Sequence, residues 1–249
     1  MHSLYANVWN ETEKLWTRRR TKGFLLLTLL LPVISAILLA AVQNNTSIIG
    51  GLGSSLPMLM LSLFTSALLP LLLFMTAADL FTGEASARTL KLILVRPITR
   101  AKVFASKVLA IAIYTAVHLA ALWIASVLSG LFIPGGDVTG GLLDSIKAYT
   151  ASFLPMLAIG LVTVLIALCF NNSTGAMALI IFIYAAAKVI PFVLPQVSVW
   201  SVFSYTDWYV LWVGNGASIS NLLYSFVLLL AYCIMAYTAG LVIFDRKQL

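Results

Sequence analysis

The chain has 249 residues, of which 61% are hydrophobic and 9% charged, with a mean hydropathy of +1.04 and a formal net charge of +7. An ordinary soluble domain is about a quarter charged. Here the stretches 23–78, 108–136, 148–187, 189–206 and 208–244 carry no charge at all. No water-facing surface can be built from them, so a soluble enzyme, a disordered chain and a fibrous repeat are excluded. The composition is that of an all-α protein embedded in a membrane. The two cysteines, Cys169 and Cys233, sit in apolar runs and indicate no disulfide framework.

The first element precedes the membrane. Leu4, Tyr5, Val8, Trp9, Thr12, Leu15 and Trp16 recur at three- and four-residue spacing, and Glu11, Glu13, Lys14, Arg18 and Arg19 take much of the remaining surface. This pattern predicts an amphipathic helix within 1–22 that lies in the interface, with Trp9 and Trp16 at headgroup level. The alternative is an ordinary basic flank that happens to be helical. A spanning helix needs about 20 apolar residues. The first two spans are expected near 23–42 and 56–79, divided by the polar, glycine-rich stretch 43–55. The first is too long for a signal peptide and no small-residue cleavage motif follows it.

The loop after span two is charged and patterned. Glu84, Arg88 and Lys91 have helical spacing, and Leu90, Ile93 and Leu94 form an apolar stripe. Glu84 and Arg88 make a favourable i,i+4 pair. Pro97 stops this short helix, and Thr99 can cap the next one. A helix over 83–95 of this kind can rest on lipid headgroups or dock into a groove on a soluble partner. Span three is expected near 104–132, closed by Pro134-Gly135-Gly136. Spans four and five fall near 148–169 and 175–194, split at 171–174, and span six near 221–244.

Between spans five and six lies 196–220, where Trp200, Phe203, Tyr205, Trp208, Tyr209 and Trp212 accompany a single charge, Asp207. Aromatics of this kind favour the membrane–water interface. Six spans put both ends on one side, and that side then holds 13 of the 15 Lys and Arg residues. By the positive-inside bias it is cytoplasmic. The positive charge thus lies beside membrane spans, which is no footprint for nucleic acid.

Little in the chain suits catalysis. It has no Gly-Lys-Ser or Gly-Lys-Thr loop for ATP, no His-Glu-x-x-His and no Gly-x-Ser-x-Gly. We expect no enzyme activity, no cofactor and no metal site. His118 is alone in span three and reads as a packed neutral histidine. All eight acids lie at span edges or in loops, which disfavours an ion-coupled carrier. Asp79 ends span two and is expected to pair with Arg88 or Lys107. Lys188 is the one charge well inside a span. It either lines a path or snorkels to the outer interface. The Asn-x-Ser/Thr matches at Asn44, Asn45, Asn171 and Asn172 read as chance.

The cytoplasmic loop resembles the first cytoplasmic loop of ABC-2-type permeases, the membrane subunits of one class of ABC exporter. That pattern is a Glu, a Thr-Leu pair, a leucine-rich stretch, a Pro, a Ser/Thr-Arg pair and a Lys about seven residues on. This chain offers Glu84, Thr89-Leu90, Leu92 to Leu94, Pro97, Thr99-Arg100 and Lys107. Arg88 and Ser106 stand where the family often has Gly. The resemblance covers the chain as one permease domain over 1–249, with short re-entrant helices in 196–220. It implies an ATP-driven exporter built from two permeases, identical or sister, and two ATP-binding subunits that hold the ATP and Mg. The helix at 83–95 is then the coupling helix, with Glu84, Arg88, Leu90, Lys91, Ile93 and Leu94 facing the ATPase. Lys188, Trp200, Trp208 and Trp212 are candidate path residues, or the tryptophans form a plain aromatic belt. The resemblance implies a bacterial inner membrane and amphipathic peptides or peptide-like antibiotics as cargo. Lipid or lipid-linked polymer export is the alternative within transport, and a non-transporting membrane scaffold the alternative outside it.

Overall fold

The computed structural model describes residues 2–45, 52–83, 99–133, 141–193, 196, 199–213 and 218–246. Among them every regular element is helical. Helix α1 is His2–Thr17 and α2 is Arg19–Asn45, with a break at Arg18 between them. Span two is compound: α3 (Leu52–Leu63), a π turn (Phe64–Leu68), α4 (Leu69–Ala77) and a second π turn (Ala78–Gly83). Then come α5 (Arg100–Gly130), α6 (Leu142–Leu168) and α7 (Ser173–Val193). A 3₁₀ turn (Val202–Asp207), the short α8 (Val210–Val213) and α9 (Ile219–Arg246) complete the order.

Six of these stretches are long and apolar enough to cross a membrane: Arg19–Val42, Leu56–Gly83, Arg100–Gly130, Leu142–Leu168, Ser173–Pro191 and Ile219–Arg246. The number agrees with the sequence reading. The largest boundary difference is in α6, which starts at Leu142 and not near 148, while α5 starts at Arg100 and runs 31 residues, about 46 Å. A hydrocarbon core is about 30 Å thick, so α5 extends well beyond it. Thr99 does occupy the N-cap position, but its hydroxyl makes no capping bond. Its carbonyl instead accepts the amides of Lys102 and Val103.

The bundle is organised around α6, which packs against α4, α5, α7, α8 and α9. Its small residues let neighbours approach closely, as membrane helices require. A Cβ on Gly160 would stand 3.5 Å from Ile111 Cγ2 and 3.7 Å from Leu73 Cδ2. Gly240 of α9 does the same against α5, where an added Cβ would meet Phe104 Cζ at 3.0 Å. Around this axis α2, α7 and α9 keep much of their surface uncovered, including Leu30, Ile37, Phe182 and Val227. That is the expected state of helices facing lipid.

Two devices satisfy polar groups within the spans. Hydroxyls bond back to their own helix: Thr65 to the Leu61 carbonyl, Thr76 to Leu72, Thr115 to Ile111, Ser152 to Ala148 and Thr163 to Ile159. The second device answers a proline. Pro70 has no N–H, so the Ser66 carbonyl four residues earlier lacks its helical donor. The chain shifts there into the Phe64–Leu68 π turn, in which the Leu69 amide reaches back to Phe64. The Tyr184 hydroxyl from α7 then donates to the Ser66 carbonyl.

Candidate functional site

The expected coupling residues Glu84, Arg88, Leu90, Lys91, Ile93 and Leu94 lie outside the described residues. The two roots of their segment are described, and both are pinned. Thr82, in the last turn of span two, donates its hydroxyl to the Ala167 carbonyl of α6 at 3.0 Å. On the other side, the Arg100 guanidinium donates to the Asp245 carbonyl at the end of α9, at 2.8 Å.

Beside these roots sits a charge cluster. Lys107 Nζ lies 2.9 Å from Glu11 Oε2, with side chains 0% and 5% exposed. Lys14 Nζ lies 3.0 Å from the other Glu11 oxygen. Burial alone would raise the Glu11 pKa. The charges and hydrogen bonds of Lys107 and Lys14 more than offset it, so this carboxyl sits below the ordinary range. The Phe81 ring centroid is 6.0 Å from the Lys107 ammonium. A second group centres on Asp79, which meets Arg18 at 3.0 Å and Arg20 at 3.7 Å and accepts the Ser173 hydroxyl at 3.3 Å.

The Arg88 alternative for Asp79 lies outside the described residues, and the Lys107 alternative is corrected. Among the described residues Asp79 is met by Arg18 and Arg20, and Lys107 by Glu11. The reason is the path of α1, which packs along α5. Glu11 therefore faces the bundle instead of the polar side. The signal was present, because Glu11 falls on the stripe Leu4, Val8, Leu15 at three- and four-residue steps. Trp9 stays exposed, but Trp16 turns inward, its ring stacked 6.0 Å from His118 and 5.9 Å from Tyr114. His118 is fully buried, and its Nδ1 lies 2.9 Å from the Tyr114 carbonyl, which can only accept. It is a packed residue, as expected.

At the opposite end the candidate path residues divide. Trp200 is exposed, while its carbonyl accepts the Tyr232 hydroxyl. Trp208 is 4% exposed and packs edge-on to Trp212 at 5.4 Å and stacked on Phe226 of α9 at 6.4 Å. Trp212 is exposed. Trp208, Trp212 and Phe226 line a groove of about 390 Å³ with Ile146, Thr150 and Leu154 of α6. Lys188 does not point into that groove. Its ammonium donates to the Thr206 hydroxyl at 2.7 Å and lies 5.7 Å from the Tyr184 ring. An apolar groove of about 680 Å³ runs between α2 and α5, lined by Val33, Ile37, Leu128 and Phe132 among others.

Each buried charge faces an opposite charge or a hydroxyl, which is the geometry of joints between helices. Comparison with known proteins agrees with a transport subunit. The chain is 26% identical over 191 residues to the uncharacterized membrane protein YdbK of Bacillus subtilis (strain 168), covering 73% of this chain and 78% of that protein. The family model described as "ABC-2 family transporter protein" matches residues 8–188. That match takes in most of α1, four whole spans, most of the fifth and the cytoplasmic loop, so the chain belongs to the ABC-2 family of transporter membrane proteins, as a permease subunit.

Proposed function

We propose that this permease forms the membrane path of an ATP-driven exporter in a bacterial cytoplasmic membrane, with both ends of the chain in the cytoplasm. It works as one of two permeases, with ABC ATP-binding subunits as the source of energy. The family match across the cytoplasmic loop carries this reading. Supporting it, the loop leaves span two through a π turn and returns into α5, and its roots are fastened to α6 and α9. A push on a helix rooted in this way reaches three spans at once. The segment 83–95 is the coupling helix in this proposal, with Leu90, Ile93 and Leu94 as buried anchors and Glu84, Arg88 and Lys91 on the rim.

The cargo we propose is an amphipathic peptide or peptide-like antibiotic. The groove at Trp208, Trp212 and Phe226 supports it, being apolar and aromatic along one wall with Lys147 at its rim. A lipid would suit the mostly apolar α2–α5 groove equally well, and transport of labelled peptide against labelled lipid in vesicles separates the two. The energy-coupling proposal is tested with Leu90→Asp plus Leu94→Asp. Interface energy concentrates in a few buried anchors, so this variant should lose the ATPase in a pull-down, or uncouple hydrolysis from transport in lipid discs. Arg88→Ala should be milder. Normal binding and normal stimulated hydrolysis in the double variant would refute the docking assignment.

A further inference from the structure

The external segment 202–207 packs on α6, on α7 and on the π turn of span two, and one chain of side chains links it to the last two. Thr206 is fully buried, and its hydroxyl accepts from Lys188 Nζ at 2.7 Å. The Lys188 ammonium also lies 5.7 Å from the Tyr184 ring, one helical turn earlier on α7. That ring packs edge-on against Phe203 of the external segment at 5.5 Å and against Phe74 of α4 at 5.3 Å. The Tyr184 hydroxyl donates to the Ser66 carbonyl, which Pro70 has left without its helical donor. So the external segment, α7 and the π turn of span two are joined through two residues, Tyr184 and Lys188.

Packing alone does not explain Lys188. Lys188 stands in the last turn of span five, where a charge is still less favourable than an apolar side chain, and a leucine or methionine would fill the same space. The Tyr184 hydroxyl has a defined task as well, since it bonds to the carbonyl that the proline orphans. A π turn is one extra residue held in a helix, a feature that often marks functional positions. Removing or moving it changes the register of span two, and with it the position of the Ser66 carbonyl. Span two is also the helix that runs on into the cytoplasmic loop.

We propose that Tyr184 and Lys188 are positioning residues that hold the external segment 202–207 closed over the outer end of the bundle and tie that closure to the π turn of span two. Lys188 acts on the segment and not on cargo. Opening of the outer end requires the Lys188–Thr206 bond to be released, and a change of register at Phe64–Leu68 releases it by moving Tyr184. This extends the exporter reading, but its test needs neither ATPase nor cargo, so either can fail without the other.

The test uses the full chain in lipid discs with Cys169→Ala, Cys233→Ala and the buried reporter Val202→Cys, labelled by a hydrophilic maleimide. Labelling through local opening follows the opening equilibrium. Loss of one such hydrogen bond is worth about a tenfold change. Lys188→Met and Tyr184→Phe should each raise the labelling rate about tenfold. Lys188→Arg, which keeps a cationic donor over the ring, should restore slow labelling. Tyr184→Phe is the decisive variant, because it keeps the ring against Phe203 and removes only the hydroxyl that reaches Ser66. If Tyr184→Phe labels at the wild-type rate, the tie to span two is wrong. If Lys188→Arg labels as fast as Lys188→Met, or both label at the wild-type rate, Lys188 does not hold the segment. The two conservative variants keep the test open even if Lys188→Met fails to fold.

Discussion

Removing the Glu11 carboxylate should loosen α1 from α5, and the size of the effect follows from the burial of the pair. Lys107 is 0% exposed and Glu11 5% at 2.9 Å. Breaking a buried pair by deleting one charge typically costs about 3–5 kcal/mol, whereas replacing both partners with apolar groups is often nearly neutral. Glu11→Gln should therefore destabilise strongly. Glu11→Gln plus Lys107→Met should lose clearly less than the two single changes added together, because no ammonium is then left facing a neutral partner at that site. For a chain of this size 1 kcal/mol moves the melting temperature by about 2–4 °C, so the single variant should melt roughly 10 °C lower. Thermal unfolding in lipid discs, followed by tryptophan fluorescence, reads this directly, because Trp16 sits in the same contact. The pH dependence has a fixed sign. The Glu11 pKa is lowered on folding from an ordinary value of 4.5. Its contribution is complete above pH 4.5 and is lost as pH falls through the lower folded value. The gap between wild type and Glu11→Gln should close in that acid range. Equal melting of wild type and Glu11→Gln at pH 7, or strictly additive losses in the double variant, would refute this account.

Three further outcomes are expected. Cysteines placed at Ser47 and Gly136 should label from outside intact cells and one at Ser86 should not, given the partition of 13 basic residues to one side; labelling at 86 would reverse the orientation. Gly240→Leu should force α9 away from α5, since even a Cβ there meets Phe104 Cζ at 3.0 Å; overpacking of this kind costs about 1–3 kcal/mol, measurable as a lower melting temperature, and an unchanged value would show that Phe104 can turn aside. Tyr149→Phe should cost about 1–3 kcal/mol, because the buried Tyr149 hydroxyl donates to the Pro57 carbonyl at 2.9 Å; no change in melting would mean that this bond adds nothing.

The spans were legible because membrane insertion depends on apolar length, a property summed along the chain. Thus 23–78 resolved into two helices from its polar middle alone. Helix ends were less legible: α5 begins at Arg100 because Lys102, Ser106 and Lys107 are acceptable in a helix that has already left the bilayer. The π turns were not foreseen, although Pro70 in mid-span announced an orphan carbonyl. Its donor, Tyr184, lies 118 residues away, and periodicity carries no information at that distance. Lys188 was visible as an anomaly for the same reason that its partner was not. A charge in an apolar run is a local fact, and Thr206 is a tertiary one. Glu11 shows the opposite failure, since its stripe position was readable but its charge assigned it to the wrong face.

The back-bonded hydroxyls have a consequence for biogenesis. Thr65, Thr76, Thr115, Ser152 and Thr163 each find an acceptor in their own helix, so they ask nothing of neighbours when a segment first leaves the insertion machinery. Lys107 and Lys188 behave differently: each is bonded to an element distant in sequence, Glu11 in one case and Thr206 in the other. Lys188 thus enters the bilayer before its acceptor has folded back onto it. A newly made chain therefore carries an unsatisfied ammonium until 202–207 arrives and folds back. A membrane protease or chaperone that surveys exposed charge within the bilayer would find it for as long as the permease is incomplete, and would lose sight of it once the outer end closes.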